Sequence, residues 1–99
     1  MHVIVYTYRA RPGQEDAIVA LHESWVRNQR RRVEGHFSGE LMSLTRDPRT
    51  FVEIARYESE QTAQAVAADP EQAVWQQRLA SLTEGGLFGG ACGCVWRSE

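Results

Sequence analysis

Cysteine is nearly absent from this chain: Cys92 and Cys94, one residue apart, are its only two. A disulfide framework needs more of them and a secretory setting, so none is expected. Long apolar runs are missing too. The opening MHVIVYTYRA is far too short for a membrane span and lacks the basic flank and cleavage site of a signal peptide. The expected setting is therefore the cytoplasm, where thiols stay reduced. Charge of one sign is scarce as well. A formal charge of −2 gives no electrostatic reason to bind nucleic acid or an acidic membrane. The one dense basic run, Arg30-Arg31-Arg32, stands alone and reads as a solvated helix end or, as a minor reading, an anion-binding patch. There is no internal repeat, linker or low-complexity stretch.

What remains is an ordinary globular composition, 42% hydrophobic and 24% charged over 99 residues. That length predicts one domain over 1–99 with a modest core, for which dimerisation is a common way to bury more surface.

Residues 2–9, HVIVYTYR, are β-branched and aromatic and predict a strand. Both alternating sets are largely apolar, as in a strand buried on both faces. After the RPG turn, residues 14–33 predict a helix. At about 100° per residue, Ile18, Leu21, Trp25 and Val26 share one face, with Val19 and Val33 at its edge and His22 and Gln29 inside the apolar sector. The three arginines close this helix where cations favour its dipole, and Glu34-Gly35 end it.

Residues 36–45 and 51–58 predict a hairpin turned by RDPR. Ser59 caps a short helix over 60–67; Asp69-Pro70 starts another, with the stripe Trp75, Leu79, Leu82. Glu84-Gly85-Gly86 is read as its end, and 87–96 as a last strand with a bulge at Gly89-Gly90. The order β-α-β-β-α-α-β predicts an α+β, ferredoxin-like fold: a four-stranded antiparallel sheet with helices on one face. The other sheet face needs cover, which a second copy can supply.

Four segments in this order, YRARPGQEDA, VEGHFSGEL, RDPRTFVEIARYESEQTA and ADPEQAVWQQRLASL, resemble the antibiotic biosynthesis monooxygenase family of the dimeric α+β barrel superfamily. The Tyr57-Glu58-Ser59 junction and Trp75 are the most telling points. The resemblance implies a homodimer joined through its sheet faces, with a pocket between sheet and helices in each subunit. It also implies cofactor-independent oxygenation of an electron-rich aromatic or quinol, whose own anion reacts with O₂. Haem-degrading relatives carry an asparagine on the first strand, a tryptophan on the second helix and a histidine on the third. The aligned residues here are Tyr6, Ala65 and Trp75, so no haem chemistry and no cofactor is expected. Many relatives also have a histidine after the third-helix proline, where this chain has Glu71.

Candidate site residues follow. His22, inside an apolar sector, is a candidate base for a phenolic proton, or else a core histidine bonded to a backbone carbonyl. Trp25 and Trp75 can stack a planar ligand or pack the core. Tyr6 is the candidate oxyanion donor and Tyr8 a ligand contact, or both belong to an aromatic core. Glu53, in an apolar strand, faces the interior or pairs with an arginine across a dimer; His2 and His36 are expected at the surface.

On a strand, Cys92, Cys94 and Trp96 would share a face, and small residues suit a sheet–sheet contact. Their spacing is too close for an ordinary zinc clip and would distort a strand as a disulfide, so no metal is expected. Three readings stay open: an oxygenase using His22 and Tyr6, a non-catalytic dimer binding a small aromatic or apolar ligand, and a thiol or metal protein built on Cys92 and Cys94.

Overall fold

The computed structural model describes residues 1–98. Its elements are β1 (His2–Ala10), α1 (Glu15–Arg32), β2 (Phe37–Leu44), β3 (Asp47–Tyr57), α2 (Glu60–Ala68), α3 (Pro70–Leu82) and β4 (Thr83–Cys92). The strands form one antiparallel sheet in the order β2-β3-β1-β4. This is the ferredoxin-like α+β arrangement.

Alternation along the strands sorts the two faces. Tyr8, Ala10, Phe37, Phe51, Ala55 and Tyr57 turn inward and meet Ile18 and Trp25 of α1, Val66 of α2, and Trp75 and Leu79 of α3. Ile18 and Leu79 are fully buried, each adding roughly 1.5–3 kcal/mol. Outward lie Val3, Val5 and Thr7 of β1, level with Ile54 and Val52 of β3 and Phe88 of β4. These outer residues are half-buried at most, and Phe88 is 82% exposed. The middle of the outer face is apolar, and among the described residues nothing covers it. Among the described residues no helix is long and apolar enough to cross a membrane.

The helix ends follow their local chemistry. Ser59 Oγ accepts the Thr62 N–H at the start of α2, and Asp69 Oδ1 accepts the Glu71 N–H at the start of α3. Arg32 is not merely a solvated helix end. Its guanidinium grips Asp69 through Nε (2.7 Å) and Nη2 (2.8 Å), tying the end of α1 to the start of α3 and holding the Asp69 carboxyl below its ordinary range.

Four boundaries differ from expectation. The hairpin turns at Thr45-Arg46, and Asp47-Pro48-Arg49 already belong to β3, where Thr50 and Arg9 hold Asp47. β4 begins at Thr83, directly after α3, so Gly85-Gly86 do not end a helix but sit in the strand with φ of 77° and 78°. The irregularity on β4 falls there, between the partners of Thr7 and Arg9, and not at Gly89-Gly90, which pair in register with Tyr6 and Val5. Gly89 is needed for another reason: a Cβ there would strike the Val5 carbonyl. Finally β4 stops at Cys92, so strand alternation does not carry on to Cys94 and Trp96. Both thiols are exposed. Among the described residues no three His, Cys, Asp or Glu side chains gather as a metal site. His36 is exposed as expected, while His2 is half-buried.

Candidate active site

β1 and β3 set the register of the site. Tyr6 stands opposite Glu53, and Tyr8 stands opposite Phe51, one diagonal step away on the same inward face. α1 crosses above them and lowers His22 between its apolar neighbours. The result is a three-residue cluster. Tyr8 Oη lies 3.0 Å from His22 Nε2 and donates to Glu53 Oε1 at 3.1 Å. His22 Nε2 also makes a short contact with Glu53 Oε1. His22 Nδ1 lies 2.8 Å from the Ile18 carbonyl.

A carbonyl oxygen only accepts, so Nδ1 carries a hydrogen and donates it to Ile18. Nε2 is turned to the Glu53 carboxylate and the Tyr8 hydroxyl. Glu53 Oε1 receives both bonds; Oε2 makes none among the described residues.

Glu53 also lines a cavity of about 320 Å³ between the sheet and α2–α3. Trp25, Trp75, Tyr6 and Tyr57 supply aromatic walls, and Gln72 and Gln76 of α3 the amides. The two indoles are fixed. Trp25 Nε1 donates to Gln72 Oε1 (2.6 Å), Trp75 Nε1 donates to the Leu21 carbonyl (3.2 Å), and their rings lie 5.4 Å apart at 40°. His22 sits edge-on to Trp75 at 5.1 Å. Neither Tyr6 nor Tyr57 makes a side-chain hydrogen bond among the described residues, so both hydroxyls remain available to a ligand oxygen.

Burial, then the charge of Glu53 and the neighbouring Tyr6, push the Tyr57 hydroxyl up to about 12. Burial, the charge of Glu53 and the bond to it push Tyr8 up further. Both phenols are therefore held as donors. Unfolded tyrosine ionises near 10, so well below that pH neither group changes stability. Above it the unfolded chain gains from ionising while the fold does not. Through these two phenols stability is expected to be unaffected below about pH 9 and to fall between pH ~9 and ~12, by on the order of 2 kcal/mol for Tyr57 alone. Urea unfolding at about pH 9 and about pH 12 checks this, and Tyr57→Phe should lessen the fall.

The structure brings together most of what the sequence singled out, in a different pairing. His22 faces the sheet, but its hydroxyl partner is Tyr8 and not Tyr6, because Tyr8 and not Tyr6 lies beneath it. Tyr6 lines the cavity opposite Glu53. Tyr8, expected as a ligand contact, is 3% exposed and turned to His22 and Glu53. Trp25 and Trp75 are both core and cavity wall. Glu53 had been read only as interior or arginine-paired; its partner is a histidine of the same chain. The lone acid in the apolar run FVEIA was the available signal. Tyr57 stood out only as part of the Tyr57-Glu58-Ser59 junction, and Gln72 and Gln76 had no signal.

Residues 1–78 match the family model for antibiotic biosynthesis monooxygenase. The chain belongs to this family. Three solved structures resemble it over nearly their whole length. SnoaB from Streptomyces nogalater, described as a cofactor-independent oxygenase, has a TM-score of 0.80 at 14% identity, covering 97% of this chain and 94% of its own. Rv0793 from Mycobacterium tuberculosis gives 0.77 at 15%, covering 99% and 98%. PA3566 from Pseudomonas aeruginosa gives 0.72 at 14%, covering 96% and 94%. At such identities the likeness is one of fold. No curated protein matches the sequence. As a member of the antibiotic biosynthesis monooxygenase family, the chain shares the fold on which an activity can be built, while its own side chains must supply the chemistry.

Proposed function

We propose that the protein is a cofactor-independent monooxygenase of electron-rich phenols or hydroquinones. The observation that carries this reading is one cavity with aromatic walls and a wall-mounted carboxylate backed by imidazole and phenol. The substrate ring stacks on Trp25 or Trp75. The Tyr8–His22–Glu53 cluster takes a hydroxyl proton, and the Tyr6 and Tyr57 hydroxyls donate to the resulting oxyanion. Apolar surroundings strengthen these bonds. The electron-rich anion is then the species that reduces O₂. A hydroquinone plus O₂ gives a hydroxyquinone plus water. One oxygen atom enters the ring, the other leaves as water, and all the electrons come from the substrate. That balance needs no external reductant.

Oxygen uptake with 1,4-dihydroxynaphthalene tests the proposal. Uptake well above the rate in buffer is expected from chelator-treated protein. Uptake at the buffer rate, together with tight binding of the same ring system, would leave a non-catalytic binding protein instead.

The same reading includes a homodimer. Val3, Val5, Val52, Ile54 and Phe88 form an outer sheet face that a second copy of the chain covers, sheet on sheet. An exposed apolar face of this extent is otherwise costly in water.

A further inference from the structure

A second cleft, of about 190 Å³, lies between α1 and the β2–β3 hairpin. Val19, Val26 and Leu41 line it with the bare backbone of Gly39, and Glu23 and Glu40 add two acids. Gly39 pairs with Ala55 across the ladder, so two small residues face each other beneath α1 and leave the space open. Trp25, Glu53 and Ala55 border both this cleft and the aromatic cavity; His22 borders only the cleft. Of the three shared residues only Glu53 can carry a proton.

Building on the oxygenase reading, we propose that Glu53 is the catalytic base and works on both sides of this wall. It takes the substrate's proton in the aromatic cavity and releases it to water in the second cleft. His22 and Tyr8 are positioning residues. In the first step the substrate O–H bond breaks, an O–H bond forms at Glu53 Oε2, and the electron pair stays on the substrate oxygen. His22 is badly placed for that step. Its Nδ1 proton is committed to Ile18, and its Nε2 is turned to Glu53 and Tyr8. What His22 provides is position: its Nε2 holds Glu53 Oε1 and so leaves Oε2 to take the substrate proton. The groups facing Glu53 are Tyr8 and Tyr6 from β1, His22 from α1 and the Tyr57 hydroxyl, which remains neutral. At the cleft the carboxylate of Glu23 favours a departing proton, while that of Glu40 is paired with Arg56.

The test uses 4-nitrocatechol, whose phenolate absorbs visibly and which resists oxidation by O₂. The full-length protein is titrated with it just below the pH at which the free ligand ionises. Wild type should bind it as the phenolate. Glu53→Gln keeps the shape and can still bond His22, so it should bind the ligand but lower the ratio of phenolate to phenol at least about tenfold. Gly39 has ordinary strand backbone, and a Cβ there meets Val26 at 3.7 Å and Trp25 at 3.8 Å, so a larger side chain can enter the cleft. Gly39→Leu should leave ligand affinity and ionisation intact yet slow hydroquinone turnover several-fold, with a larger solvent deuterium isotope effect. Phenolate retained in Glu53→Gln but lost in His22→Ala would make His22 the base and overturn the assignment. Unchanged turnover in Gly39→Leu would overturn the exit route. Wild type that binds no ligand would overturn the pocket reading, and this inference with it.

Discussion

Replacing His22 by alanine is expected to lower hydroquinone turnover by about 10²-fold, the scale of a misplaced catalytic group, while the fold persists. The side chain is 12% exposed and borders the second cleft, so water can fill its place. Without the imidazole, Glu53 keeps only the Tyr8 hydroxyl as a partner, and its carboxylate is no longer held for the substrate. The ring's position beside an open cleft gives a readout that a structural role would not move. Added imidazole should restore part of the rate to His22→Ala and none to Glu53→Gln. A rate unchanged in His22→Ala would show that Glu53 needs no support from the imidazole and would remove His22 from the mechanism.

That cluster was only half legible in the sequence. The wheel of α1 placed His22 in its apolar sector, because helical phase depends on the chain alone. Which tyrosine it meets depends on how far α1 slides along β1, and no local pattern encodes that. Tyr6 and Tyr8 share a face, two residues apart, so periodicity cannot separate them. Glu53 was visible as an acid among apolar neighbours, but its partner lies 31 positions away. The two later helices were legible because each carried its own start: Ser59 and Asp69 bond the N–H groups that their side chains predict. The start of β4 was not. Gly85-Gly86 has the chemistry of a helix stop, yet Thr83 enters the sheet at once and the glycines absorb an irregularity instead. The exposure of the cysteines, too, depends on where β4 ends.

Val5→Asp is expected to turn a dimer into a monomer. Val5 sits on the outer face between Ile54 and Gly90. In a symmetric dimer one substitution places two carboxylates in the interface. Burying them without partners costs several kcal/mol, which weakens association by at least about 10³-fold. Light scattering at micromolar concentration should give the mass of two chains for wild type and one for the variant. A monomeric wild type would refute the covered-face argument.

Oxygenation by the protein's own side chains is tested most directly with labelled oxygen. Chelator-treated, flavin-free protein would be given 1,4-dihydroxynaphthalene under ¹⁸O₂ and the product weighed by mass spectrometry. A hydroxyquinone carrying one ¹⁸O atom, formed by wild type and not by Glu53→Gln, is the expected result. Product without label, or label appearing at the same rate in both proteins, would contradict it.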